Sequence, residues 1–345
     1  MNIFWPIYAA MESSFPTTIL GTVDPDFPKK RLSRKLAALR LRTSVGPSCQ
    51  QRVLEQLDPS GPNVLWVFAL GSRDLIYANL LEPIWSKFDY TVLNVVDTLQ
   101  PDNLKPDDVN KFDLVTCFCG DLTKDFDRIS DVPSIFFPAH SDILNAHSAS
   151  SYRPLDLIVV GRRDRKLLAP IHKYFNAPER ERVFIDLLTR TQMDHGAEDQ
   201  FQILSGTYAK SKAAFCFEPS NVGRFQGYSP LTSRWIHAWA AGCSVIGSRP
   251  TGTGVAQQMD WPEATLELPS DPDAAIEFIE RLLADEAGLA KRRNRNVAEA
   301  LRRHDTRHRF RDVLSYLDIP IPPLLQQGLA ELEARADALD DTTRH

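Results

Sequence analysis

Short apolar runs alternate along the chain with longer stretches in which apolar residues recur every three or four positions. The apolar runs predict buried strands, and the longer stretches predict helices with one apolar face. Strands that alternate with helices indicate a mostly parallel sheet covered by helices. The pattern therefore predicts an α/β protein.

The first half of the chain carries its apolar runs after a turn-rich, basic beginning. We expect strands at Val64–Leu70, Thr91–Val96, Asp113–Phe118 and Ser134–Phe137, a helix at Asp74–Lys87, and a bent or edge strand at Met1–Ala10. Ligands of parallel sheets bind beyond the carboxyl ends of the strands. Asp97, His140 and Asp142 follow such ends and offer an acid or a base. The alternative is that these side chains form local hydrogen bonds in their loops.

A second α/β pattern follows small, polar residues at 143–154, which we interpret as a linker. We expect its strands at Leu155–Gly161, within Arg180–Arg190, and at Ala213–Glu218, Cys243–Gly247 and Ala264–Leu268. We expect its helices at Asp199–Ser211, Asp271–Asp285, Ala287–His304, Thr306–Tyr316 and Leu324–Leu339. The predicted domains are 1–148, 149–318 and a tail, 319–345, that packs across the first domain or forms a dimer contact.

One stretch of the second half combines a strand, a polar loop and a helix start. Ser229 is the expected N-cap and Pro230 the first helical residue, where a missing N–H costs nothing. Free N–H groups at a helix start suit a phosphate group. Earlier, Gly161 ends an apolar run and is followed by Arg162 and Arg163, whose guanidinium groups suit a diphosphate. The alternatives are an ordinary crossover helix without a ligand and a charged loop.

Length, charge and cysteine content narrow the class of protein. The 345 residues fit two domains of about 150 residues each, and a net charge of −5 argues against broad nucleic-acid binding. The five cysteines lack metal-site spacing, so we expect reduced, mostly buried thiols. No signal-peptide pattern is visible, and no apolar segment reaches the ~20 residues that span a bilayer, which predicts a cytoplasmic protein. The basic segment Lys29–Arg42 predicts either a solvated surface helix or peripheral contact with an anionic membrane.

The second half resembles the donor-binding domain of GT-B nucleotide-sugar glycosyltransferases, in particular the short-chain bacterial, spore-maturation-type subgroup. The resemblance rests on the segments IVVGRR, YAKSKAAFCFE, SPLTSRWIHAWAAGCSVIGSRP and HDTRHRFRDVLSYL, in that order. It implies two Rossmann-like domains that face each other across a cleft, with the donor in the second domain. It also implies a metal-independent reaction without a cofactor, in which the nucleotide diphosphate sugar is a co-substrate.

The resemblance assigns further residues to the donor site. The candidates for holding the donor and its diphosphate are Gly161, Arg162, Arg163, Tyr208, Lys210, Lys212, Ser229, Thr232, Ser233, Arg234 and His237. The family often carries two glutamates eight positions apart, and those positions are Ser229 and His237 in this chain. His237 can still hydrogen-bond a ribose hydroxyl, although it is not a carboxylate.

The sequence thus predicts transfer of a sugar to a hydroxyl acceptor, either a bacterial surface glycan or a lipid-linked saccharide. An inverting enzyme needs a base, for which Asp97, His140 and Asp142 are the candidates, whereas a retaining enzyme does not. The alternatives are a non-catalytic glycosyltransferase-like partner subunit and a nucleotide-sugar epimerase.

Overall fold

The computed structural model describes residues 5–17, 46–69, 75–96, 104–146, 149–161, 163–187, 196–220, 225 and 227–344. The chain forms two compact units, one of residues 16–137 and one of residues 1–15 and 138–345. The boundary falls at the end of the first sheet, before the segment that we predicted as a linker. The predicted domains 1–148, 149–318 and 319–345 differ from these units at both chain ends. The prediction assigned residues 1–15 to the first domain and residues 319–345 to a separate tail, whereas both segments belong to the second unit. The Asp97, Arg162 and Lys29–Arg42 predictions lie outside the described residues.

The unit of residues 16–137 contains a parallel sheet of four strands in the order β1-β2-β3-β4. Its strands are β1 (Val64–Ala69), β2 (Tyr90–Val95), β3 (Leu114–Cys117) and β4 (Ser134–Phe136). The amino-terminal helix, α1 (Trp5–Glu12), belongs to the other unit. The helices of this unit are α2 (Gly46–Leu54), α3 (Leu75–Asn79), α4 (Pro106–Val109) and α5 (Asp121–Ile129), with a 3-10 helix at Glu82–Lys87. All four predicted strands are confirmed. The predicted helix at 74–87 is divided into α3 and the 3-10 helix.

The second unit contains a parallel sheet of five strands in the order β6-β5-β7-β8-β9. Its strands are β5 (Leu155–Val160), β6 (Phe184–Leu187), β7 (Ser211–Cys216), β8 (Ser244–Gly247) and β9 (Leu266–Glu267). Its helices are α6 (Arg165–Phe175), α7 (Ala197–Ala209), α8 (Ser233–Ala240), α9 (Val255–Gln258), α10 (Pro272–Ala284), α11 (Glu286–His304), α12 (Thr306–Tyr316) and α13 (Pro323–Arg344). Two parallel α/β units confirm the predicted fold class, whereas the cleft between them stays a prediction.

The order of strands in the second sheet marks where a ligand binds. The chain leaves β5 for β6 on one side and returns to β7 on the other side. In open parallel sheets, such a reversal opens a crevice at the carboxyl ends of the two central strands. Here those ends are Val160 of β5 and Cys216 of β7.

The amino-terminal segment is helical, so the prediction of a strand at Met1–Ala10 was wrong. Pro6 is the second residue of α1, a position in the first turn that needs no backbone N–H. Trp5 packs against Phe201 of α7, with ring centroids 5.3 Å apart, and Phe15 packs against Phe310 of α12 at the same separation. These aromatic contacts join residues 1–15 to the second unit.

The carboxy-terminal helix α13 packs on α11 and α12 of its own unit. Its apolar face buries Leu325, Leu332 and Ala336. Beside that face, Arg302 of α11 pairs with three carboxylates of α13, those of Glu333, Asp337 and Asp340. The dimer contact stays a prediction. No helix in the described part of the chain is long and apolar enough to cross a membrane.

Candidate functional site

A network of hydrogen bonds centred on Glu218 lies at the carboxyl end of β7. The carboxylate of Glu218 accepts bonds from Ser229 Oγ at 2.8 Å, from Ser220 N at 2.9 Å and from Ser220 Oγ at 2.5 Å. The backbone N–H of Glu218 donates to Ser248 Oγ, which follows β8, at 3.0 Å. The loops after two neighbouring strands are therefore fastened to each other.

Ser229 connects this network to a third loop. Its Oγ accepts a bond from Thr251 N at 3.1 Å, and its carbonyl oxygen accepts a bond from Gly252 N at 2.8 Å. The prediction that Ser229 caps the helix was wrong, because its hydroxyl is engaged with Glu218 and Thr251. Helix α8 begins at Ser233, and its N-cap is Thr232.

The amino terminus of α8 offers polar groups next to this network. Thr232 has an extended backbone and makes no side-chain capping bond, and its hydroxyl is buried without a hydrogen-bond partner among the described residues. Ser233 is exposed, and Arg234 is half-buried. Backbone N–H groups at a helix start carry partial positive charge and bind anions. The arrangement can thus hold an anionic group beside Thr232.

Gly161 and Arg163 follow the neighbouring strand β5. Gly161 has a φ of +75°, a conformation that a side chain would disfavour. Arg163 forms an ion pair with Asp186 of β6, and its Nε donates to the carbonyl oxygen of Gly161 at 3.3 Å. The Nη2 of Arg163 is buried without a partner among the described residues. The guanidinium is therefore held at the carboxyl ends of β5 and β6, with one N–H-bearing nitrogen still available.

Tyr208 and His237 lie deeper, in the packing between α7 and α8. Their rings are 6.4 Å apart, and His237 also packs edge-on against Phe201. Burial lowers the pKa of His237 to about 4 and raises the pKa of Tyr208 well above its ordinary value. Both side chains are therefore neutral at pH 7 and support α8 from within the core.

Lys210 and Lys212 lie at the amino end of β7, whereas the Glu218 network lies at its carboxyl end. Lys210 is exposed just before β7, and Lys212 is the second residue of that strand. The Nζ of Lys212 pairs with the buried carboxylate of Asp156 at 2.7 Å. At about 3.3 Å per residue, Lys212 lies about 13 Å from the carboxyl end of β7. This placement corrects the prediction that the two lysines bind the diphosphate.

Asp142 is a structural residue of the second unit. Its carboxylate is 0% exposed, and it accepts bonds from Arg307 Nη1 at 2.9 Å and from Asn145 Nδ2 at 2.6 Å. Burial raises the pKa of Asp142 against the opposing effect of Arg307. Arg307 also pairs with the buried Asp305 at 3.0 Å. A carboxylate enclosed in this way cannot reach an acceptor hydroxyl, which corrects the prediction of a catalytic base.

His140 belongs to the same segment. Its Nδ1 is 2.9 Å from Thr306 Oγ1, and the backbone of its neighbour Ser141 bridges to Asp305. Burial and the positive charge of Arg309 lower the pKa of His140 to about 3. A ring with so low a pKa is a weak base at neutral pH. Of the three predicted bases, His140 and Asp142 thus fasten the segment after β4 onto α12.

Residues 152–315 match the model of the glycosyl transferase-like family. The match contains the whole second sheet, the Glu218 network and helix α8. It confirms the predicted resemblance to glycosyltransferases, whereas the spore-maturation subgroup stays a prediction.

Several solved structures resemble the chain at low sequence identity. HepE from Anabaena, solved in complex with UDP-glucose, is 13% identical with a TM-score of 0.49, and the match covers 81% of this chain and 83% of that one. The calicheamicin glycosyltransferase CalG4 is 12% identical with a TM-score of 0.36, and the match covers 87% and 84% of the two chains. AviGT4 of avilamycin A biosynthesis is 12% identical with a TM-score of 0.37, covering 74% and 98%. No curated protein sequence matches the chain.

The structure adds Glu218, Ser248 and Thr251 to the residues predicted from the sequence. The signal for Glu218 was present, since an acidic residue directly after a buried strand lies at the edge where ligands bind. Ser248 and Thr251 gave only the general signal of a polar loop after a strand. Within the described residues, no group of three or more His, Cys, Asp or Glu side chains is placed to hold a metal ion. All five cysteines are free, and all but Cys49 are buried, as predicted.

Proposed function

We propose that this chain transfers a sugar from a nucleoside diphosphate sugar to a hydroxyl acceptor, with the donor bound at the carboxyl edge of the second sheet. One observation carries the proposal. The N-cap side chain of α8 makes no capping hydrogen bond, and the amino terminus of this helix lies beside the Glu218–Ser229–Thr251 network, within the residues that match the glycosyl transferase-like family.

The donor diphosphate would bind at Thr232 and the first turn of α8. The backbone N–H groups of Ser233 and Arg234 and the Arg234 guanidinium would stabilise the negative charge that develops on the leaving group. Fixed donors of this kind reduce the barrier because they need no reorganisation during the reaction. Gly161 would let the β5 loop approach the donor closely, and Arg163 would extend the cationic side of the site. The same groups would take the place of a divalent metal.

Glu218 would supply the carboxylate that the two family positions lack. Ser229 and His237 stand where the family often has glutamates, and neither side chain can carry a negative charge at neutral pH. The carboxylate of Glu218 is 2.8 Å from Ser229 Oγ, so a negative group does lie beside position 229. A carboxylate there can accept a hydrogen bond from a sugar hydroxyl. This geometry favours a catalytic chain over a non-catalytic partner subunit.

The placement of the predicted bases limits the mechanism. With Asp142 enclosed by Arg307 and His140 kept neutral by burial, Asp97 is the remaining candidate for the base of an inverting enzyme. A retaining enzyme would need no such base. For the acceptor, we propose a bacterial surface glycan or a lipid-linked saccharide, because the basic segment Lys29–Arg42 suits an anionic membrane surface.

Nucleotide binding tests this proposal. The melting temperature is measured with UDP, GDP, dTDP, ADP and CMP, with a divalent metal and with a chelator, and hydrolysis of the matching nucleotide sugar is then followed without an acceptor. A ligand that binds only the folded chain raises the melting temperature. We expect one nucleotide to stabilise the chain without metal and its sugar to be hydrolysed slowly. We expect Arg234→Gln to lose both effects and the exposed Arg281→Gln on α10 to retain them.

The two ways in which this experiment can fail have different meanings. Binding without hydrolysis or transfer would support the partner subunit. No stabilisation by any nucleotide at millimolar concentration would contradict the donor site itself.

A further inference from the structure

A cationic pocket lies between α9, the end of α11 and α12 of the second unit. Its volume is about 280 Å³. Among the described residues that line it are four arginines and a single acidic residue: Arg302, Arg303, Arg309, Arg311 and Asp312. None of the residues of the Glu218 network or of α8 lines this pocket, so it is distinct from the proposed donor site.

Arg309 is buried in the wall of the pocket, with 5% of its surface exposed. Its Nη2 donates to the carbonyl oxygen of Arg303 at 2.5 Å and to Gln258 Oε1 at 3.3 Å, and its Nη1 is 3.4 Å from Asp312 Oδ2. Its Nε is buried without a partner among the described residues. A buried N–H group without an acceptor is costly, so an acceptor that reached this group would bind favourably.

His308 adds a second buried polar group to the same wall, with 7% of its surface exposed. Its Nε2 lies 2.7 Å from the carbonyl oxygen of Leu301, and its Nδ1 has no partner among the described residues. The carbonyl oxygen can only accept, which assigns the ring proton to Nε2 in the neutral form. Burial lowers the pKa of His308, so Nδ1 carries a lone pair in the neutral ring and the arginines supply the donors of the pocket.

The ion pairs of the pocket are least complete at Arg309 and Arg311. Arg309 and Arg311 share one carboxylate, that of Asp312, at 3.4 Å and 2.9 Å. Arg302 is paired with Glu333, Asp337 and Asp340, and Arg303 is paired with Asp260 and Glu299. These five carboxylates do not line the pocket and compensate those two arginines. The carboxylate of Asp312 therefore compensates two guanidinium groups at once, and an incoming anion would compete with it.

We propose that this pocket binds a phosphate group. Guanidinium groups bind phosphate through paired, charge-assisted hydrogen bonds, and a phosphate dianion would satisfy Arg309 and Arg311 together. The largely polar and charged lining fits a compact oxyanion and excludes an apolar ligand. The phosphate group has two possible sources, a soluble phosphate and the headgroup of a lipid, and both present the same oxyanion to the arginines.

Equilibrium dialysis with radiolabelled orthophosphate, at constant ionic strength set with chloride, tests the site. We expect saturable binding to the wild-type chain. Arg311→Gln should weaken it about tenfold, because a charge-assisted pair to phosphate is lost. Asp312→Asn should strengthen it, because the competing carboxylate loses its charge. The matched control is Arg281→Gln, an arginine on α10 that is paired with Glu277 on the surface.

Arg311→Gln and Asp312→Asn should leave the fold intact, because both side chains are more than 40% exposed and neither belongs to the hydrophobic core. Vesicles of phosphatidic acid and of phosphatidylcholine then identify the source of the phosphate. If the chain associates with phosphatidic acid vesicles but not with phosphatidylcholine vesicles, and Arg311→Gln removes this association, the ligand is a lipid headgroup. If orthophosphate binds and neither vesicle does, the ligand is a soluble phosphate. The proposal is overturned if orthophosphate does not bind saturably at millimolar concentration, or if Arg311→Gln and Asp312→Asn bind it as the wild type does.

Discussion

The Oγ of Ser229 donates a 2.8 Å hydrogen bond to Oε2 of Glu218, which joins the end of β7 to the segment that precedes α8. The same hydroxyl accepts a bond from Thr251 N, so one side chain holds three loops together. The position of the α8 amino terminus, where we place the donor diphosphate, depends on this junction.

Ser229→Ala should therefore weaken both the fold and nucleotide binding. The substitution leaves Thr251 N without its acceptor and Glu218 without one donor, which should lower the free energy of unfolding by about 1–2 kcal/mol. Urea denaturation measures this loss, and calorimetric titration measures the affinity for the nucleotide. Ser220→Ala is the matched control, because it removes a bond to Glu218 but leaves the Thr251 loop attached. Equal nucleotide affinities in the two variants would contradict a positioning role for Ser229.

Lys212→Met tests whether the amino end of β7 takes part in donor binding. Lys212 pairs with the buried Asp156, which keeps Arg182 as a second partner at 3.1 Å. Loss of one of two cationic partners should lower the free energy of unfolding by about 1 kcal/mol. Nucleotide affinity should not change, since the lysine lies at the amino end of β7. A clear loss of affinity without a loss of stability would return Lys212 to the donor site.

Strand positions were predictable in this chain because parallel strands covered on both faces consist mostly of apolar residues. Short apolar runs such as Val64–Ala69, and Leu155–Val160 with its single polar residue, indicate buried strands. The beginning of α8 was not predictable, since the hydroxyl of Ser229 is taken by Glu218 and Thr251, residues that are far from it in sequence. The helix at Trp5–Glu12 was missed for a similar reason, as its aromatic side chain at position 5 packs against Phe201.

The candidate site was predictable in part. The region around α8 and the arginine after Gly161 follow from strand ends and a helix start. The lysines before and within β7 were assigned to the wrong edge, although their place ahead of the strand was visible in the sequence. The enclosure of Asp142 by Arg307 could not be seen, because the two residues are 165 positions apart.

Acid should destabilise the second unit through its buried histidines. The pKa of His237 is lowered from 6.5 to about 4, so between these values a proton binds this residue only in the unfolded chain. The stabilisation is complete above pH 6.5 and falls as the pH decreases, by up to about 1.4 kcal/mol per pH unit. His237→Phe should reduce this dependence in urea denaturation at a series of pH values. An unchanged pH dependence would show that His237 is not buried as a neutral ring.

Arg307→Met should be strongly destabilising. The substitution leaves Asp142 and Asp305 buried without their common guanidinium, and removing one partner of a buried ion pair costs about 3–5 kcal/mol. The exposed Arg335→Met on α13 is the control, because its pair with Glu331 lies on the surface and contributes little. Thermal denaturation should separate the two variants by many degrees. Similar melting temperatures would contradict the structural role assigned to Asp142.

Hydrogen–deuterium exchange with and without the nucleoside diphosphate that binds tests the central claim most directly, because it locates the donor site without any substitution. We predict that the nucleotide protects peptides covering 216–220, 229–236 and 247–254, and that peptides at the amino end of β7 and along α12 exchange as before. Protection confined to other parts of the chain, with the α8 peptides unchanged, would contradict a donor site at this edge of the sheet.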